Sequence, residues 1–162
     1  MEPLQRAIGT RSEFVAAALQ ALELALAQRA RRMLWVDTDF AHWPLDDAVL
    51  LHRLVDWLRL PQRQLLLLAT DYEDLRRRHA RFTALYGLWS HAISARAPAQ
   101  DEAAPLPCLL LAQGTAAVHL MDPEYWRGWI STDPLTLRRW QERADALLQR
   151  SQAAFPVTTL GL

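Results

Sequence analysis

The sequence predicts an α/β domain with a mixed β-sheet flanked by helices, and three observations carry that prediction. Segments with a helical hydrophobic period alternate with short apolar runs. Two of those runs, in "MLWVDTDF" and "QLLLLAT", are nearly unbroken, the pattern of strands covered on both faces. A third stretch, "CLLLAQGTAAVHLMD", reads as two strands turning back on each other at Gln113-Gly114. Alternation implies parallel strands joined through helices, and the hairpin adds antiparallel ones, so the sheet is mixed.

The first helix is announced by Thr10 and Glu13 at capping-box spacing, with Phe14, Ala18, Leu22, Ala25 and Leu26 recurring on one side. "MLWVDTDF" follows as a buried strand ending at Asp37 and Asp39. "PLDDAVLLHRLVDWLRL" predicts a second helix with Pro44 near its first turn and Val49, Leu50, Leu54, Trp57 and Leu58 on one stripe, stopped by Pro61. After "QLLLLAT", Thr70 and Glu73 form a second capping box and predict a third helix through about Leu88. "SHAIS" is the next strand. "ARAPAQDEAAPLP" reads as a loop, with residues 96–106 expected to be flexible. After the hairpin, Asp133-Pro134 caps a last helix expected to reach Ala153, and "VTTLGL" is expected to add a short strand.

The 162 residues are expected to form a single domain spanning 1–162. Half the composition is hydrophobic and seven residues are tryptophan, enough to bury roughly 70% of the unfolded surface without metal or disulfide. The single cysteine, Cys108, has no internal partner, which fits a reducing compartment; no signal-like or membrane-length apolar span is present, so a cytoplasmic protein away from membranes is expected. All 18 basic residues are arginine. The absence of lysine excludes Schiff-base chemistry and a phosphate-binding lysine. Formal net charge is zero, so no whole-body field attracts polyanions.

"LRRRHARFTALYGLWS" places Leu75, His79, Phe82, Tyr86 and Trp89 on one apolar stripe. Arg76, Arg77, Arg78 and Arg81 point elsewhere, near Asp71, Glu73 and Asp74. A solvated, ion-paired face is the favoured reading of the arginines. Weak nucleic-acid binding through this helix is the alternative, and nucleic acid is not expected as a partner. His79 is sharper: it is polar on an apolar stripe, close to the strand carboxyl ends where open α/β sheets bind ligands. With Asp37, Asp39 and Asp71 projecting from the same edge, His79 forms a candidate ligand site. The competing reading, which is favoured, makes it a core histidine and the aspartates strand ends and caps.

Other constellations exclude more than they suggest. His42, His52, His91 and His119 have no metal-ligand spacing, so neither a metal nor a cofactor is expected. There is no GxSxG elbow and no phosphate-cradling glycine loop. "DPEYWRGWIS" groups Tyr125, Trp126, Arg127 and Trp129 as a candidate interaction surface, with anchoring of a long loop as the alternative.

The order of helix, "MLWVDTDF", helix, "QLLLLATD", a helix with His79, "SHAIS", "LPCLLLAQGTAAVHLMD" and a closing helix resembles a single half-domain of the phospholipase D-like fold. More narrowly, it resembles an uncharacterised bacterial domain family of that fold, some members of which are attached to acetyltransferases. The resemblance covers nearly the whole chain. It implies a His-x-Lys-x4-Asp-Gly motif before the hairpin turn; with the glycine on Gly114, Leu106 stands for the histidine, Cys108 for the lysine and Gln113 for the aspartate. All three functional positions are lost, so phosphodiesterase activity is not expected. The resemblance implies an inactive binding or assembly module, and a homodimer, because two halves pack together in that fold. An enzyme of other chemistry using His79 and the nearby carboxylates is the alternative.

Overall fold

Thr10 starts the first helix as expected. In the computed structural model, which describes residues 2–99 and 105–154, its hydroxyl accepts the Glu13 amide at 3.1 Å, and the Glu13 carboxylate reaches back to the Gly9 amide at 2.9 Å. Two of the orphan donors at the helix start are thereby satisfied. The helix, α1 (Arg11–Ala27), follows a strand the sequence did not announce, β1 (Gln5–Ile8). β1 is a short edge strand exposed at three of its four positions, so it has no alternating pattern to read.

The remaining elements are β2 (Arg32–Val36), α2 (Ala48–Leu58), β3 (Gln64–Leu68), α3 (Glu73–Arg78), α4 (Ala80–Leu88), β4 (Ile93–Pro98), β5 (Cys108–Ala112), β6 (Ala116–Asp122), β7 (Arg127–Ser131), α5 (Pro134–Gln149) and β8 (Ser151–Ala153). They build one mixed sheet in the order β1-β7-β6-β5-β2-β3-β4-β8. β2, β3 and β4 are parallel, with Met33, Leu65 and Ile93 in register; every other pairing is antiparallel. The α/β class and the mixed sheet are as the sequence predicts.

The pleat sorts the apolar residues between two layers. Met33, Trp35, Leu65 and Leu67 face a core shared with α1, α2 and α4; Leu34, Val36 and Leu68 face α5 through Leu137 and Ala144. Burial on both faces explains why β2 and β3 read as unbroken apolar runs. Trp57 is fully buried, and its indole N–H donates to the Ala30 carbonyl at 2.7 Å, closing the turn after α1. Burying such a side chain contributes about 1.5–3 kcal/mol. The hairpin turns at Gln113-Gly114, and Gly114 takes φ of +70°, the left-handed region in which glycine pays no steric penalty. No helix among the described residues is long and apolar enough to cross a membrane.

Several expectations need correction. The third helix is two helices, because His79 leaves helical geometry (φ −121°, ψ 62°) to carry its ring to Phe40. Thr70 is not its cap: the Thr70 amide bonds Thr38, while the Asp71 carboxylate accepts the Glu73 amide at 2.8 Å. The second helix begins at Ala48 with Asp47 as its cap, so Pro44 lies in the preceding loop, and Val49 stands 53% exposed rather than on the buried stripe. Arg96 to Pro98, expected in the flexible loop, extend β4, because β8 pairs with them and Arg96 Nη2 donates to the Ser151 carbonyl at 2.7 Å. The last helix ends at Gln149 for the same reason: Ser151–Ala153 are drawn into the sheet. Residues 100–104 of that loop, and the strand expected in "VTTLGL", lie outside the described residues.

Candidate functional site

The loops leaving β2 and β3 are laced together at the carboxyl edge of the parallel strands. The Asp37 amide donates to the Leu68 carbonyl at 3.1 Å, and the Thr70 and Asp71 amides both donate to the Thr38 carbonyl. The four candidate residues occupy this region in two arrangements. Asp37 and His79 converge on one residue: the Asp37 carboxylate accepts the Phe40 amide at 2.9 Å, and His79 Nε2 lies 2.8 Å from the Phe40 carbonyl oxygen. Phe40 is thus held in a left-handed conformation (φ 59°) by side chains on both its polar groups. Asp39 and Asp71 instead accept the Ala41 and Glu73 amides of their own turns. Among the described residues, no three His, Cys, Asp or Glu side chains stand together so as to hold a metal ion.

His79 sits in an aromatic cluster. Phe40 packs edge-on against Trp43 with centroids 4.9 Å apart, and Trp35 lies 5.8 Å from both Trp43 and Phe82. The cluster is imperfectly satisfied: among the described residues, Trp35 Nε1, Trp43 Nε1 and His79 Nδ1 are buried with no oxygen or nitrogen partner. With Nε2 donating to Phe40, Nδ1 is the bare nitrogen of the ring.

Cys108, read from the sequence only as an unpaired cysteine at the lost lysine position, and Tyr72, not singled out there, both enter this region. Extending the β2–β5 register, in which Val36 faces Leu109, brings Cys108 opposite Asp37. Burial pushes the Asp37 carboxyl above its ordinary value, against the lowering pull of the Phe40 and Thr38 amides. Burial, reinforced by the Asp37 charge, drives the Cys108 thiol far above the usual thiol range, so it is an inert thiol rather than a nucleophile. The Tyr72 hydroxyl donates to the Arg96 carbonyl at 2.6 Å, joining the start of α3 to β4, and burial raises it well above an ordinary phenol. A lone cysteine and a tyrosine before a helix give no spacing signal; only the strand register brings them in.

The second candidate group divides between the two faces of the sheet. Trp126 (φ 58°) packs on Phe14 of α1 with centroids 5.7 Å apart, under the Arg11 guanidinium. Trp129 pairs with His119, whose ring lies tilted against Trp140 of α5 with centroids 4.4 Å apart, so Trp129 belongs to the opposite face. Arg127 shares the parity of Trp129 and is exposed, as is Tyr125. The four residues therefore do not make one surface, and the segment is a 3-10 turn and a strand rather than a long loop. On the third-helix region Arg77 pairs with Asp74, and Arg78 Nε stands 3.9 Å from the same carboxylate, which matches the ion-paired reading of the arginines.

No protein-family model and no curated protein matches the chain. Solved structures do. TrmBL2, an archaeal chromatin protein with a novel mode of DNA binding, is 10% identical with a TM-score of 0.57, over 95% of this chain and 54% of that one. NucT from Helicobacter pylori is 6% identical with a TM-score of 0.58, over 94% of this chain and 100% of that one. A phosphatidylserine synthase from Haemophilus influenzae Rd KW20 is 11% identical with a TM-score of 0.55, over 94% of this chain and 39% of that one. The chain thus spans about half of the first and all of the second. Likeness at such low identity is likeness of fold: an eight-stranded mixed sheet with helices on both faces, of phospholipase D-like type.

Proposed function

We propose that this chain is a catalytically inactive phospholipase D-like domain that serves as a binding or assembly module and works as a homodimer. The loss of catalysis is supported by the residues at the motif positions. Leu106, Cys108 and Gln113 supply neither a nucleophilic imidazole nor a cation for phosphoryl oxygens, and no lysine exists elsewhere in the chain to substitute. A lone cysteine without a disulfide partner supports a reducing compartment, the cytoplasm.

One observation carries the assembly reading: one face of the sheet is covered along only part of its width. α5 lies across β4, β5, β6 and β8. Beyond it, on the same side, Trp129 of β7 is 42% exposed, next to exposed Ala7 of β1 and with Leu135 at the start of α5 49% exposed. Trp129 and Arg127 are of the residue types that anchor interfaces, and Leu135 adds apolar area beside them. A second copy of the chain is the occupant we assign to this face.

Two measurements test the reading. Light scattering behind gel filtration is expected to give a dimer, and Trp129→Asp a folded monomer; a wild-type monomer at tens of micromolar, or a Trp129→Asp dimer, refutes assembly through this face. Purified protein is expected to leave bis-p-nitrophenyl phosphate and phospholipids intact. Turnover that survives repurification and falls on mutation of this chain refutes inactivity. A second reading, an enzyme built on His79 with Asp37, Asp39 or Asp71, has one observation in its favour, the unpartnered Nδ1 of His79.

A further inference from the structure

The topology sorts charge to opposite ends of the parallel strands. The loops that leave β2 and β3, residues 37–47 and 69–72, carry Asp37, Asp39, Asp46, Asp47 and Asp71 and no arginine. The loops that enter β2, β3 and β4, residues 28–31, 59–63 and 89–92, carry Arg29, Arg31, Arg59, Arg63 and His91 and no carboxylate, and Arg32 opens β2 beside them. Register aligns these entries side by side: the Gln64 amide donates to the Arg31 carbonyl at 3.1 Å, and the Leu65 amide to the Ala92 carbonyl at 2.9 Å.

Helix dipoles explain part of this. α1, α2 and α4 end at the arginine edge, and each C-terminus carries about half a negative charge. Three such ends offset about 1.5 charges, which leaves most of the five arginines uncompensated. None of the five is in an ion pair among the described residues. Arg63 is the frame of the edge. It is covered by its neighbours, and its guanidinium donates to the Pro61 carbonyl at 2.7 Å and the Arg29 carbonyl at 3.2 Å, tying the two turns together with Nε unpartnered. Burial and the repulsion of Arg29 and Arg31 both press on its charge. Both turns also hold a side chain in the left-handed region where glycine is usual, Arg29 at φ 56° and Gln62 at φ 60°.

Beside this frame runs an open groove of about 550 Å³, lined by Arg59, Gln62, Arg63, Gln64, Trp89 and His91; Arg29 and Arg31 lie on the adjoining turn, their carbonyls bonded to the lining residues Arg63 and Gln64. Trp89 and His91 lie with centroids 5.5 Å apart and planes 31° apart. Arg59 in the groove and Arg29 and Arg31 on the adjoining turn, together with paired aromatic rings, suit a ligand that carries both phosphates and flat bases. An acidic peptide would satisfy the arginines but leave the rings unused. The acidic end of the molecule is no obstacle: a five-residue strand is about 17 Å long, and the screening length in physiological salt is about 8 Å.

We infer that the groove holding Arg59 and the Trp89–His91 pair, continued onto the adjoining turn of Arg29 and Arg31, binds single-stranded nucleic acid, phosphates on Arg29, Arg31 and Arg59, a base on the rings. The inference stands apart from the dimer reading, since a monomeric or an active chain would carry the same edge; gel filtration of every variant keeps the two separable.

Fluorescence anisotropy with a labelled oligothymidylate of about a dozen nucleotides, titrated across a range of salt, tests it. Wild type is expected to bind. Replacing Arg29, Arg31 and Arg59 together by Ser is expected to weaken binding at least tenfold and to flatten the plot of log K against log salt by about 2, about 0.7 per lost phosphate contact. Trp89→Leu with His91→Leu is expected to weaken binding about tenfold with the salt slope unchanged, because stacking releases no counterions. Arg77→Ser with Arg81→Ser is the control and is expected to bind as wild type; Arg63 is left intact because it holds the turns. No wild-type binding at low salt, losses as large in the control, or equal binding of polyglutamate would each overturn the inference.

Discussion

His79 Nε2 lies 2.8 Å from the carbonyl oxygen of Phe40, 39 residues earlier in the chain. The contact joins the break between α3 and α4 to the loop leaving β2. It gives a second donor to a carbonyl that a left-handed residue turns away from any strand partner and that also accepts the Trp43 amide at 3.3 Å.

His79→Ala should therefore leave a cavity and strip the Phe40 carbonyl of its shorter hydrogen bond, leaving only the longer one from the Trp43 amide, at a cost on the order of 1–3 kcal/mol. His79→Gln, which keeps a donor on the side chain, should recover part of that loss. Urea unfolding of both variants measures this. Phosphates and divalent metals are expected to leave the wild-type melting temperature unchanged. A stable His79→Ala protein that has lost a ligand-induced shift present in wild type would instead support the enzyme reading.

Asp37 makes stability depend on pH in a direction that can be stated. Burial raises its native value above the ordinary 3.8, so the folded state holds this proton more tightly than the unfolded chain. Its contribution is fully present below pH 3.8 and is lost as pH rises through the raised native value. Asp37→Asn keeps an oxygen to accept the Phe40 amide and removes the charge. The variant should be at least as stable as wild type at pH 7, and this advantage should vanish below about pH 4. Unfolding curves across that range check it; an advantage that grows toward acid pH would contradict the assignment.

The Cys108 thiol, buried opposite Asp37, should react with a disulfide reagent at the rate of unfolding rather than at the rate of a free thiol. Titration at mildly alkaline pH, native and in denaturant, gives the comparison. Fast reaction in the native protein would show that the β2–β5 end is open.

Strands β2 and β3 were legible because burial on both faces leaves an unbroken apolar run, and the hairpin because Gly114 marks its turn. β1, β7 and β8 were not. They are short edge or near-edge strands, half exposed, and held by pairing and by contacts such as Arg96 with Ser151 rather than by their own apolar pattern. The break at His79 was hidden for a related reason: its cause, the Phe40 carbonyl, lies on another element. The His79 stripe itself was visible, but that Asp37 would meet it on Phe40 while Asp39 and Asp71 capped separate turns depends on loop geometry. Net charge concealed most. Zero is an average over an acidic and a basic end, and only the direction of β2, β3 and β4 reveals which loops share an edge.

Gly128 gives the most demanding test of that architecture. A Cβ added there would lie 1.9 Å from the His119 carbonyl oxygen and 2.8 Å from Leu120 Cα, both backbone atoms of β6 that no rotamer change can move. Gly128→Ala must therefore force β6 and β7 apart where Leu120 faces Gly128. Among the described residues β1 pairs only with β7, so both strands should loosen together. The loss should reach at least the upper end of the ~1–3 kcal/mol typical of overpacking, with hydrogen exchange accelerated first in β1 and β7 and last in β2 and β3. Gly114→Ala is the comparison: its Cβ meets nothing within 4 Å, so only the strain of a positive φ remains, about 1–2 kcal/mol. If Gly128→Ala proves as stable as wild type, or less damaging than Gly114→Ala, the β6–β7 register described here is wrong.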